Sequence, residues 1–160
     1  MNGWWRRAGA GIGAVTCAFA CSPAGGSSKI AFDGPQRLGG EHVSAAELER
    51  GREVYRKLCR SCHGEQGGGD GPAASHLRVA PRDFRAAAFR YKSTPDDALP
   101  THADLVAVIR DGRSDNGMPP WSGLPREDLD AVAHYIKTFS PRWLRTDEVA
   151  GDAEASDRTD

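Results

Sequence analysis

The pentapeptide Cys59-Arg60-Ser61-Cys62-His63 constrains this chain more than any other feature of its 160 residues. Two thiols three positions apart share one face of a helical turn, where both can bond to the vinyl groups of a single haem. The C-x-x-C-H pattern is the attachment site of a c-type haem. His63 follows on the same turn, so its imidazole is carried under the macrocycle as the proximal iron ligand. The rest of the chain has to be built round that group.

Two other readings of the motif are weaker. A thioredoxin-like pair opens a helix after a strand, whereas here an amphipathic helical pattern precedes the cysteines. A zinc site asks for four ligands, and no second cysteine pair follows Cys62. The other two cysteines, Cys17 and Cys21, lie in an N-terminal stretch with the shape of a leader. It has Arg6-Arg7, then a small and apolar run from Ala8 to Ala20, then Ala18-Phe19-Ala20-Cys21, a box similar to a lipoprotein processing site. The run is shorter than the roughly 20 residues a bilayer requires. Residues 1–20 are therefore expected to be a signal peptide, with Cys21 lipidated, or with ordinary cleavage near Ala20 as the alternative. Cys17 is the poorer lipidation candidate. Either route places the mature protein in the periplasm, and the lipid route holds it there as a membrane-anchored lipoprotein.

Residues 21–44 contain Gly25-Gly26-Ser27-Ser28, Gly34-Pro35 and Gly39-Gly40 and read as a flexible tether. Residues 144–160 are rich in Asp and Glu and read as an acidic, disordered tail. The domain is expected over residues 45–143. The whole chain has 21 basic and 22 acidic side chains, without the basic footprint of a nucleic-acid binder.

Three helices are legible inside the domain. Ser44 with Glu47 forms a capping-box pattern ahead of Leu48, Gly51, Val54, Tyr55 and Leu58. A second helix is expected from near Thr101, through Leu105, Val108 and Ile109, to Gly112. The third starts around Pro125, with Glu127 and Asp128 in its first turn, and runs through Leu129, Val132, Tyr135, Ile136 and Phe139. Between Gly64 and Pro100 the periodicity fails, leaving loop with one short helix expected near Ala86 to Phe89.

Met118 is the only methionine after the initiator. A thioether favours ferrous iron and raises the potential, and a Met flanked by Gly117 and Pro119-Pro120 suits a ligand loop better than a helix face. Met118 is thus the expected second axial ligand. His42, His76, His102 and His134 are its rivals. Three of them look like loop or boundary residues, and His134 reads as a surface position on the last helix.

In motif and order, the segment from about Ala45 to Phe139 resembles the class I cytochrome c family. The haem motif comes early, after the first helix, and the Met comes late, before the last. Cytochromes c′ place the motif near the C-terminus instead. The resemblance implies an all-α fold whose N- and C-terminal helices cross around one covalently bound haem. Gly51 and Tyr55 correspond to the first-helix packing positions, and Val132 and Tyr135 to those of the last. It also implies that the Pro72 carbonyl receives the proximal histidine's N–H. Gly71-Pro72-Ala73-Ala74, Pro81-Arg82-Asp83-Phe84 and Pro100-Thr101 are similar to runs in bacterial monohaem cytochromes, periplasmic or membrane-attached.

The function implied is outer-sphere one-electron transfer between redox partner proteins, by a carrier that is not itself an enzyme and acts as a monomer or as a subunit of a respiratory complex. Trp121 and Arg82 are candidates for contacts to the haem propionates. Lys57 and Arg60 flank the attachment site and can steer an acidic partner. A haem sensor or enzyme in which the Met bond opens is the alternative from another class.

Overall fold

The protein is described by a computed structural model over residues 32–144. The expected signal peptide, Cys17, Cys21 and nearly all of the acidic tail lie outside these residues. Four α-helices and one small antiparallel hairpin, with three short 3-10 turns, make up the regular structure of the described residues: β1 Gln36–Leu38, β2 Glu41–Val43, α1 Ala45–Leu58, α2 Arg60–His63, α3 His102–Asp111 and α4 Arg126–Lys137.

The hairpin corrects two expectations. It makes the fold helical with a two-stranded sheet instead of all-α, and it takes residues 36–43 out of the tether. Gly39 and Gly40, both at positive φ, close the turn, and Gln36 pairs with Val43. Leu38 and Val43 are fully buried in the core, and the Gly39 N–H donates to the Trp143 carbonyl at 2.6 Å. Burial of two aliphatic side chains holds down a segment that its own composition would leave free.

Local rules account for the helices. The Ser44 hydroxyl accepts the Glu47 N–H at 3.1 Å, which caps α1. The return bond of a capping box is not formed, because the Glu47 carboxylate is taken by His134. Thr101 and Asp104 make the full reciprocal box at the start of α3, and Gly112, at φ 67°, ends it. Pro125 precedes α4, and Glu127 and Asp128 sit in its first turn, where they complement the positive helix end.

α1 and α4 pack on each other through Gly51. A Cβ there would collide with the Ala131 carbonyl and sit 2.8 Å from the Tyr135 Cβ, so only glycine permits this approach. Tyr55 fills the neighbouring space, its ring centroid 5.3 Å from Tyr135 and 5.1 Å from Phe139. Val132 is fully buried. The short helix expected near Ala86 to Phe89 is absent. Ala87 is buried at φ 47°, a left-handed conformation that stops helix propagation, and a turn forms at residues 84–87. A 3-10 turn occurs earlier, at Ala74–His76.

Candidate haem-binding site

α1 ends at Cys59, whose N–H still reaches the Tyr55 carbonyl, and the chain restarts as the single turn α2. Cys59 and Cys62 are therefore carried on rigid backbone, both half-buried. Burial pushes the Cys59 thiol up to about 12, with the nearby Cys62 adding to the effect.

His63 closes the turn. Its Nδ1 lies 3.1 Å from the Arg82 carbonyl, an oxygen that only accepts, so the proton resides on Nδ1 and the Nε2 lone pair is left for a metal. Phe84 stacks on the ring, with centroids 4.5 Å apart and planes at 18°. Burial holds the His63 pKa below its ordinary value, against the opposing hydrogen bond to Arg82, and so favours the neutral, ligating form.

The carbonyl beneath the imidazole thus belongs to Arg82 and not, as the family likeness implied, to Pro72. The loop explains the difference. Gly71 N–H donates to Cys62 O at 3.1 Å and Ala73 N–H to Ser61 O at 2.8 Å, which pins the loop along the backbone of α2 and leaves Pro72 exposed. Phe84 N–H donates to Gly67 O at 2.7 Å and brings the Pro81-Arg82 strand of loop under His63 instead.

Met118 occupies a tight loop tied to α3. It exchanges two backbone hydrogen bonds with Arg113, at 2.8 and 3.0 Å, and Gly117 takes the left-handed conformation at φ 85° that the turn requires. Trp121 N–H donates to the Ile109 and Arg110 carbonyls at 3.2 and 3.1 Å, satisfying the end of α3. Its side chain is half-buried against the core, as is that of Met118. The backbone of the Met118 loop is therefore fixed at both ends.

Arg113 was not anticipated from the sequence. Its Nε is buried without a hydrogen-bond partner, while its guanidinium lies 4.2 Å over the Tyr91 ring and donates to the Gly112 carbonyl at 3.2 Å. An orphaned guanidinium N–H beside the Met118 loop is the donor that a carboxylate group would complete. The one signal was position: Arg113 directly follows the helix-ending Gly112 and precedes Met118 by five residues.

The Arg82 side chain lines a cleft of about 350 Å³ with Phe89, Asp97 and Arg142, a cleft that none of Cys59, Cys62, His63 and Met118 lines. Of the other histidines, His42 and His76 are exposed. His134 corrects the surface assignment: its side chain is 12% exposed, stacks on His102 at 4.0 Å and bonds to carboxylates at both ring nitrogens. Those contacts occupy it elsewhere in the fold.

Comparison with known proteins supplies the family. The model of a family described as cytochrome C oxidase, cbb3-type, subunit III matches residues 46–136. The chain is 34% identical over 94 residues to cytochrome c55X of Pseudomonas aeruginosa, an alignment that covers 57% of this chain and 62% of that protein. A chain of the Kuenenia stuttgartiensis reducing HAO-like protein complex superposes with a TM-score of 0.57 at 39% identity, over 58% of this chain and 42% of that one. The chain thus spans less than two thirds of each of these relatives. The matched residues run from the first helix through the C-x-x-C-H turn and the Met118 loop to the last helix, and they make this chain a c-type cytochrome of the family described as cbb3-type oxidase subunit III.

Proposed function

We propose that the protein is a single-haem electron carrier in which Cys59 and Cys62 form the thioether links and His63 and Met118 fill the two axial positions. A haem so held supplies reversible one-electron chemistry. The observation that carries the reading is the Nδ1–H of His63 on the Arg82 carbonyl, which fixes the ring tautomer and turns Nε2 outward as a ligand. Phe84 holds the imidazole plane. The Arg113 bridge and the Gly117 turn hold the Met118 loop, and Arg113, with Trp121, offers donors for the propionates. With both axial positions taken, the residues exclude a substrate from the metal and leave docking of redox partners at the surface.

The site of action we propose is the periplasm or the membrane surface facing it, reached through the leader and held by a lipid on Cys21. Among the described residues no helix is long and apolar enough to cross a membrane. A second reading, a fixed subunit of a larger redox complex, draws support from the family description and from the structural neighbour, itself part of a protein complex.

Denaturing extraction tests the attachment. The haem is expected to stay with the protein in acid-acetone and on a denaturing gel, at one equivalent by mass, and to be lost from the Cys59→Ala/Cys62→Ala double variant. Haem that extracts freely from the unmodified protein contradicts the proposal. Carbon monoxide separates carrier from sensor: slow or no uptake by the ferrous protein is expected, and rapid stoichiometric uptake at neutral pH favours the sensor.

A further inference from the structure

Arg82 serves two places at once. Its carbonyl accepts the Nδ1–H of His63, while its side chain lines a cleft of about 350 Å³ in which none of the haem-motif residues takes part. We propose that this cleft binds a small oxyanion of the phosphate class, and that the bound anion lowers the potential of the haem through Arg82. The effect on potential rests on the proposed ligation by His63; the binding does not.

The walls of the cleft supply the charge. The guanidinium groups of Arg82, Arg90 and Arg142 line it together with Asp96 and Asp97. Arg82 and Arg142 are half-buried, whereas Arg90 and both aspartates are exposed. Water and salt therefore screen the aspartates more than they screen Arg82 and Arg142, and the inner wall keeps two positive charges. The carbonyls of Ala87 and Asp97 accept from Arg142 at 3.2 and 2.9 Å, acceptors without formal charge that fix the guanidinium and leave its charge in place.

Among the described residues the side chains of Arg82, Arg90, Asp96 and Asp97 make no hydrogen bond or ion pair. A half-buried guanidinium without an acceptor is the donor that an oxyanion completes, and two arginine forks suit its several oxygens. Ala87, the one non-glycine at positive φ among the described residues, forms part of the wall. Strained backbone of this kind gathers at ligand sites.

The cleft reaches the haem ligand by contact and by charge. Phe89 in its wall stacks on Phe84 with centroids 6.3 Å apart, and Phe84 stacks on His63. Burial is the main cause of the low His63 pKa, and the Arg82 charge acts in the same direction. An anion on the Arg82 guanidinium offsets that charge, makes His63 the stronger donor to iron and so favours the ferric state. By linkage, the ferric protein binds the anion more tightly than the ferrous protein does.

The test is calorimetric titration of the full, haem-loaded ferric protein with sodium phosphate, with ionic strength held constant by chloride. One equivalent is expected to bind saturably. Arg82→Gln and Arg90→Gln should each weaken binding about tenfold. Neither side chain has a bond to lose, so the fold is not at risk. Lys57→Gln and Arg60→Gln, basic positions outside the cleft, should bind as the unmodified protein does. In a parallel redox titration the midpoint potential should fall as phosphate saturates, and Arg82→Gln should lose that response. No saturable binding, undiminished binding by both cleft variants, or an equal loss in the Lys57 and Arg60 variants would overturn the site. Binding that appears only in Asp147→Asn/Glu148→Gln would assign the cleft to the chain's own carboxylates and overturn a free anion. Saturable binding with an unmoved potential would overturn the link to the haem. Phosphate binding is read as heat, independently of how the iron is ligated, so the site and the proposed ligation fail separately.

Discussion

The Tyr55 hydroxyl shows how much one atom does beneath the haem motif. It is buried and donates to the Gly64 carbonyl at 2.8 Å, joining α1 to the residue that ends α2. The tyrosine is kept protonated by burial, which raises its pKa well above the usual phenol value. Tyr55→Phe keeps the packing and leaves the Gly64 oxygen without that donor. The expected cost is about 1 kcal/mol in urea denaturation of the haem-loaded protein. A variant of unchanged stability would show that the bond contributes nothing. At this scale the sequence was uneven as a guide. Cys59, Cys62, His63 and Met118 announce themselves by spacing and by scarcity. The Arg82 carbonyl does not, because every residue carries one and only the fold decides which lies under His63. Nor does the His134 cluster, whose partner Glu41 is 93 residues away.

Among the elements, the α1 and α4 contact is the joint on which the fold turns, and Gly51 is its tightest point. Gly51→Ala places a methyl group against the Ala131 backbone, which cannot swing aside as a side chain would. Destabilisation of about 1 to 3 kcal/mol is expected, visible as a lower thermal midpoint. Gly34→Ala, where a Cβ meets nothing within 4 Å, is the control and should change little. A Gly51 variant as stable as the parent would contradict the packing. Helix boundaries were legible to within a residue or two because Ser44, Thr101, Gly112 and Pro125 are local signals that the backbone obeys. The hairpin was not. Its strands are three residues each, and what orders them is burial of Leu38 and Val43 against distant core together with the Trp143 carbonyl, none of which is written locally.

For the whole molecule, the open matter is what holds it where it works. If Cys21 carries the lipid, Cys21→Ala should release a soluble protein with its full complement of haem, or stop processing, since Cys59 and Cys62 are untouched; Cys17→Ala should do neither. Fractionation with intact-mass analysis decides, and an unmodified N-terminus downstream of Cys21 in wholly soluble protein would dismiss the anchor. Anchored or free, the function we propose requires both axial positions of one haem to be filled by His63 and Met118. The most direct measurement is the near-infrared absorption of the ferric protein, read beside a redox titration, for the parent and for Met118→Ala. The parent should show the sulfur-to-iron charge-transfer band, and the variant should lose it, become high-spin and show a lower potential, because water or hydroxide replaces a thioether that favours ferrous iron. A band and potential unchanged in Met118→Ala would contradict the account.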